Sequence, residues 1–134
     1  MREQTNGRLQ IKDLYKANTL KSGTSKYRNE KIELDGMVFD SKHEAHRWCE
    51  LKYMERVGLI KDLKRQVRFE VIPAQYDERD RIIERPTTYI ADFVYTENGK
   101  KVVEDAKSPA TKTDVYKIKK KLMLQKYGIR IREV

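Results

Sequence analysis

Residues 31–40 (KIELDGMVFD) alternate apolar and polar positions around the pair Asp35-Gly36. Asp-Gly between alternating apolar positions is a two-residue hairpin signal, so strands are expected at Lys31–Leu34 and Met37–Phe39. The period then changes. Ser41 and Glu44 match a capping box, and Ala45, Trp48, Cys49 and Leu51 fall on one helical stripe. That helix is expected to run to about Val57, with Gly58 just past its end. Val67, Phe69 and Val71 alternate, which gives a strand over residues 65–72, ended by Pro73. Residues 74–86 are charged and read as a loop, with a strand piece near 81–83.

Residues 89–95 form the next strand, Asn98-Gly99 the turn, and residues 101–107 the returning strand. Thr111 or Thr113 caps a second helix that reaches Tyr127, with Val115, Ile118 and Leu122 on one stripe and Gly128 at its end. A last strand is expected over 129–134. The order is ββ-α-β-ββ-α-β, a mixed α/β fold with a mixed sheet flanked by helices. Residues 1–26 show no clear period and read as a basic arm, with a short helical piece around 11–17. The domain proper is expected over 27–134.

Charge changes this picture. The chain of 134 residues is 38% charged with a net charge of +9, against roughly 25% charged residues in ordinary domains. Residues 1–31 hold eight Lys/Arg and three acids, and residues 107–134 hold nine and two, whereas the middle is net negative. Basic ends suit a polyanion, most commonly nucleic acid. One cysteine, Cys49, excludes an internal disulfide. No apolar run is long enough to span a membrane, so a soluble cytoplasmic protein with no membrane partner is expected.

The acidic middle carries the candidate chemistry. If Asn98-Gly99 is a two-residue loop, Glu97 faces Lys100 and Asp92 sits opposite Asp105. Alternation adds Lys107 to that face, together with Ile90, Val94 and Val103, and turns Glu104 and Phe93 away. Opposed like charges among apolar neighbours are destabilising and call for compensation. Lys107 is one source of it, and a divalent cation, which takes carboxylate oxygens, is another. Glu44 is read two ways, as a helix cap or as a third carboxylate. Lysines of the second helix, Lys117, Lys119, Lys120 and Lys121, with Lys112 and Lys126, suit phosphate contacts, as do Lys26 and Arg28 at the end of the arm. Lys119 is expected nearest the acids.

The series Ser41-Lys-His-Glu44, Tyr89-Ile-Ala-Asp92-Phe and Val103-Glu-Asp105-Ala-Lys107 resembles the PD-(D/E)XK nuclease superfamily. It is closest to small phage and prophage endonuclease-like proteins of the Holliday-junction-resolvase type. The resemblance spans Tyr27 to the C-terminus. It implies a restriction-endonuclease-like core (α-βββ-α-β) and a DNA endonuclease using Mg²⁺ or Mn²⁺. Asp92, Asp105, the Ala106 carbonyl and Glu44 would hold the metal, Lys107 would orient the attacking water, and Gln66 would support the site. Two departures stand out: no proline precedes Asp92, and Asp105 replaces the commoner Glu, with Glu104 beside it. The resemblance further implies a homodimer acting on branched DNA in phage recombination or replication. A sequence-specific or transposition-linked endonuclease is the alternative within that class. A non-catalytic nucleic-acid-binding protein on the same fold is the alternative outside it.

Overall fold

The computed structural model describes residues 30–134 and the two-residue strand Thr19–Leu20 (β1). The helical piece expected around 11–17, and Lys26 and Arg28, lie outside the described residues. The chain divides into two compact units, residues 1–60 and 61–134.

In the first unit, β2 (Lys31–Leu34) and β3 (Met37–Phe39) form the expected antiparallel hairpin. Asp35 and Gly36 both take positive φ, 51° and 75°, as a type I′ turn demands. β1 pairs with the outer side of β2. Helix α1 (Lys42–Arg56) starts on Ser41, whose hydroxyl accepts the Glu44 N–H at 3.1 Å. Ala45, Trp48, Cys49 and Leu51 are buried, so the stripe read from the sequence is the packed face. Phe39 and Trp48 pack ring against ring, with centroids 6.2 Å apart.

The second unit is a four-stranded mixed sheet in the order β4-β7-β8-β9, with α2 packed on it. β4 (Lys61–Ile72), β7 (Thr87–Glu97) and β8 (Lys100–Asp105) are antiparallel neighbours, and β9 (Arg132–Glu133) joins β8 in parallel. The strand piece expected near 81–83 is β6 (Ile82–Glu84), and the expected loop before it carries a second short strand, β5 (Gln75–Tyr76), that pairs with β6 in a small ribbon. Its turn is built by Asp77, which accepts the N–H groups of Arg79 and Arg81 and pairs with the Arg81 guanidinium at 2.8 Å. No long apolar run marks this ribbon, which is why β5 does not stand out in a charged stretch.

Helix α2 (Asp114–Tyr127) is capped by Thr113, whose hydroxyl accepts the Tyr116 N–H, and ends on Gly128 at φ 66°. Its buried residues are Tyr116 and Met123. The expected stripe through Val115 and Ile118 is corrected: both are exposed, and Leu122 is only partly buried. Tyr116 and Met123 are seven apart and define a face rotated by one residue. They close a core with Phe69, Val71, Tyr89, Val103 and Ile131. The last strand is shorter than expected. Among the described residues no helix is long and apolar enough to cross a membrane.

Candidate active site

The site is assembled by one hairpin. Asn98 and Gly99 both take positive φ, 51° and 76°, so β7 and β8 turn in two residues. Pairs run from Glu97–Lys100 to Phe93–Glu104, the register the two-residue loop demands. One step further, Asp92 and Asp105 reach the end of the hairpin, where the paired ladder stops. Asp92 Oδ2 accepts the N–H of Ala106 at 2.8 Å, and Oδ1 accepts from Gln66 Nε2 at 3.4 Å. Asp105 Oδ2 accepts the Tyr89 hydroxyl at 2.5 Å. The Lys107 ammonium lies 3.1 Å from Asp105 Oδ1 and 4.4 Å from the centre of the Tyr116 ring.

The company of Asp105 differs from simple alternation. Ile90, expected on its face, is exposed. Tyr89 and Ala91 instead join Val94 and Val103 in one core cluster. An odd and an even position of the same strand share a face only if the alternation skips once between Ala91 and Val94. The strand pairing itself stays in register here, from Arg65–Phe93 to Val67–Ala91, and Gln66 between those pairs stands in the left-handed region, at φ 54°. That irregularity brings the Tyr89 phenol to Asp105. It also explains why alternation, read from the sequence, placed Tyr89 on the wrong side.

Backbone polarity adds an oxygen. The Asp105 carbonyl accepts the Val134 N–H, and the Lys107 N–H donates to the Val134 carbonyl. Successive backbone groups of a strand face opposite sides, so those of Ala106 turn towards Asp92. The Ala106–Asp92 hydrogen bond agrees. Glu104 faces the other way and is fully buried, accepting from the Tyr95 hydroxyl, with Arg132 Nη1 3.9 Å away.

Burial shapes the electrostatics. Asp105 is 2% exposed. Burial first, and then the bond to Asp105, push the Tyr89 phenol well above its ordinary range, so it stays a donor. Burial and the charges of Asp105 and Glu133 do the same to Tyr116.

The other expected lysines lie on α2 or just before it. Lys119 is half-buried, three residues after Tyr116. Lys112 and Lys120 are not free lysines: their ammonium groups hold Glu133 at 3.4 and 2.6 Å. Lys126 sits 3.7 Å from Glu70, and Lys117 is exposed, 4.0 Å from Asp114. Lys121 is exposed. Glu44 belongs to the first unit, buried in the first turn of α1 with the capped N–H already described. Three residues were missed from sequence as parts of this site: Tyr89, Tyr116 and Glu133. Tyr89 stands inside the quoted Tyr-x-Ala-Asp-Phe string, and Glu133 became visible only through the parallel register Asp105–Glu133.

The oxygen set suits a small hard cation. Asp105 Oδ1 is buried and closes no hydrogen bond, because the Lys107 ammonium stands at ion-pair distance outside hydrogen-bond geometry. Magnesium sites commonly use one or two carboxylates plus waters and substrate phosphates. Asp92, Asp105 and the Ala106 carbonyl meet that requirement. Among the described residues, no group of three or more His, Cys, Asp or Glu side chains gathers to form an all-protein cage.

A family model described as "Protein of unknown function (DUF1064)" matches residues 24–132. No curated protein and no solved structure matches the chain significantly.

Proposed function

The chain belongs to the DUF1064 family, and we propose that it is a divalent-metal-dependent DNA endonuclease whose reacting groups are Asp92, Asp105 and Lys107. One observation carries this reading: two carboxylates and an ammonium converge at the end of a single hairpin, and one of the carboxylates is buried. Buried acids in a sheet are costly to keep without a compensating role. The chain order of α1, the β4–β7–β8 meander, α2 and β9 supports a restriction-endonuclease-like core. The net charge of +9 supports a polyanionic substrate.

Asp92, Asp105 and the Ala106 carbonyl would hold Mg²⁺ or Mn²⁺, which when bound lowers the pKa of water and neutralises phosphate charge. The chain's own groups do the rest. The Ala106 N–H and the Gln66 amide fix the plane of the Asp92 carboxylate. Tyr89 holds Asp105 by Oδ2 and so directs Oδ1 towards Lys107. The Lys107 ammonium, steadied between Asp105 and the Tyr116 ring, is a preorganised cation for charge that develops on a phosphate. Exposed Lys117 and Lys121 suit the backbone on either side. The same reading makes a four-way junction the preferred substrate and a homodimer the acting species.

The test is cleavage of a four-way junction, a matched linear duplex and supercoiled plasmid in Mg²⁺, Mn²⁺ or EDTA. The expected result is cutting in either metal, none in EDTA, and preference for the junction. Cutting that persists in EDTA contradicts the metal role. Tight binding without cutting in either metal would make the protein a nucleic-acid binder on a nuclease-like fold.

A further inference from the structure

Glu133 stands beside the site and has no part in the chemistry described so far. It is the register partner of Asp105 on the neighbouring parallel strand. Partners in register point to the same face. Its carboxylate is gripped by two ammonium groups, Lys120 at 2.6 Å and Lys112 at 3.4 Å. Lys112 lies just before the cap of α2 and Lys120 two turns into it. The Tyr116 hydroxyl is buried and lies under the charges of both Asp105 and Glu133, close enough to the Glu133 carboxylate to interact with it as a donor, though outside full hydrogen-bond geometry.

We propose that Lys112, Lys120 and the Tyr116 hydroxyl form a phosphate-binding position adjoining Asp105, which the chain's own Glu133 occupies until a phosphate displaces it. A phosphodiester carries one negative charge, as a carboxylate does, and lysine binds phosphate as a point charge. Exchange therefore keeps the local charge balance. It is also energetically open, because both lysines are about two-fifths exposed and exposed ion pairs are weak. The incoming phosphate brings more acceptor oxygens than the carboxylate, enough to include the Tyr116 hydroxyl. With Glu133 in place, three acids (Asp92, Asp105, Glu133) face three lysines (Lys107, Lys112, Lys120). The end of the hairpin then offers no excess positive charge until Glu133 swings away. Glu133 acts as an internal competitor that sets how strongly the site holds a nucleic-acid backbone. That this phosphate belongs to DNA rests on the nuclease reading; the anion site itself does not.

The test uses full-length protein in EDTA, so that cleavage plays no part. Glu133→Gln removes the competing negative charge and leaves the side chain's shape unchanged. Its thermal unfolding is followed against sodium sulfate, and its binding to a 20-base-pair duplex is followed against salt. In sulfate, Glu133→Gln is expected to gain stabilisation well beyond wild type. On the duplex it is expected to bind about tenfold tighter at low salt, with about one to two more counterions released. Lys112→Gln/Lys120→Gln is expected to remove both gains when added to Glu133→Gln. By itself, against wild type, it is expected to weaken duplex binding more than Lys117→Gln does. A sulfate effect without any duplex binding keeps the anion site and contradicts the nuclease reading. A folded Glu133→Gln protein that matches wild type in both sulfate and duplex overturns the proposal. If Glu133→Gln does not fold, the Lys112→Gln/Lys120→Gln protein decides: duplex binding equal to that of Lys117→Gln overturns it.

Discussion

The smallest unit that explains this site is the bond between Tyr89 and Asp105. A carboxylate that is 2% exposed must have its oxygens met, and the Tyr89 hydroxyl meets one of them at 2.5 Å. Hydrogen bonds to charged groups contribute roughly 1.5–3 kcal/mol. Tyr89→Phe keeps the ring, and hence its stacking on Phe69 with centroids 6.5 Å apart, and removes only the donor. The expected loss in urea unfolding is about 2 kcal/mol in EDTA. Cleavage is expected to fall as well, because Asp105 is then free to turn. A loss below about 0.5 kcal/mol would show that the bond does not hold Asp105. Tyr89 lies inside a string quoted from the sequence, yet its role was not legible there. Alternation assigns it to the far face, and only the skip between Ala91 and Val94 reverses that.

At the scale of elements, the legible parts are those set by local chemistry. Asp35-Gly36 and Asn98-Gly99 specify their turns because type I′ geometry needs positive φ at both positions. The second turn fixes the register that brings Asp92 and Asp105 together. Ser41, Thr113 and Gly128 mark helix ends for equally local reasons. What was not legible depends on distant partners. The face of α2 is chosen by the sheet, so Tyr116 and Met123 win over Val115 and Ile118. The β5–β6 ribbon rests on Asp77 and its arginine contacts rather than on an apolar pattern. The tie between α2 and β9 is likewise tertiary, made by Lys112, Lys120 and Glu133. The Lys120 hydrogen bond, with Lys112 behind it, holds the Glu133 carboxyl below its ordinary value of 4.5 despite partial burial. A depressed carboxyl lends stability above its unfolded pKa and loses it as pH falls through the folded one. Stability is therefore expected to drop below pH 4.5 by at most about 1 kcal/mol from this group, given its partial exposure. Glu133→Gln is expected to flatten that part of the urea-midpoint profile. An equal slope in both proteins would contradict the tie.

Across the whole molecule, charge and chemistry divide the work. Basic residues crowd both ends of the sequence and acids its middle. The middle contains the β7–β8 hairpin, and the lysines of α2 follow it directly. Some lysines in this part of the chain are spent internally: Lys107 on Asp105, and Lys112 and Lys120 on Glu133. Net charge therefore overstates the positive surface offered to a ligand, and the exposed Lys117 and Lys121 are better candidates for the first contact. The central claim is that Asp92 and Asp105 form the metal-dependent centre of a phosphodiesterase. The most direct measurement is the rate of plasmid nicking in Mg²⁺ by Asp92→Ala beside wild type, with circular dichroism to confirm that both are folded. The expected result is a folded variant whose nicking falls about a hundred- to a thousandfold, the scale of losing a preorganised electrostatic group. Metal-dependent nicking that survives in folded Asp92→Ala would contradict it.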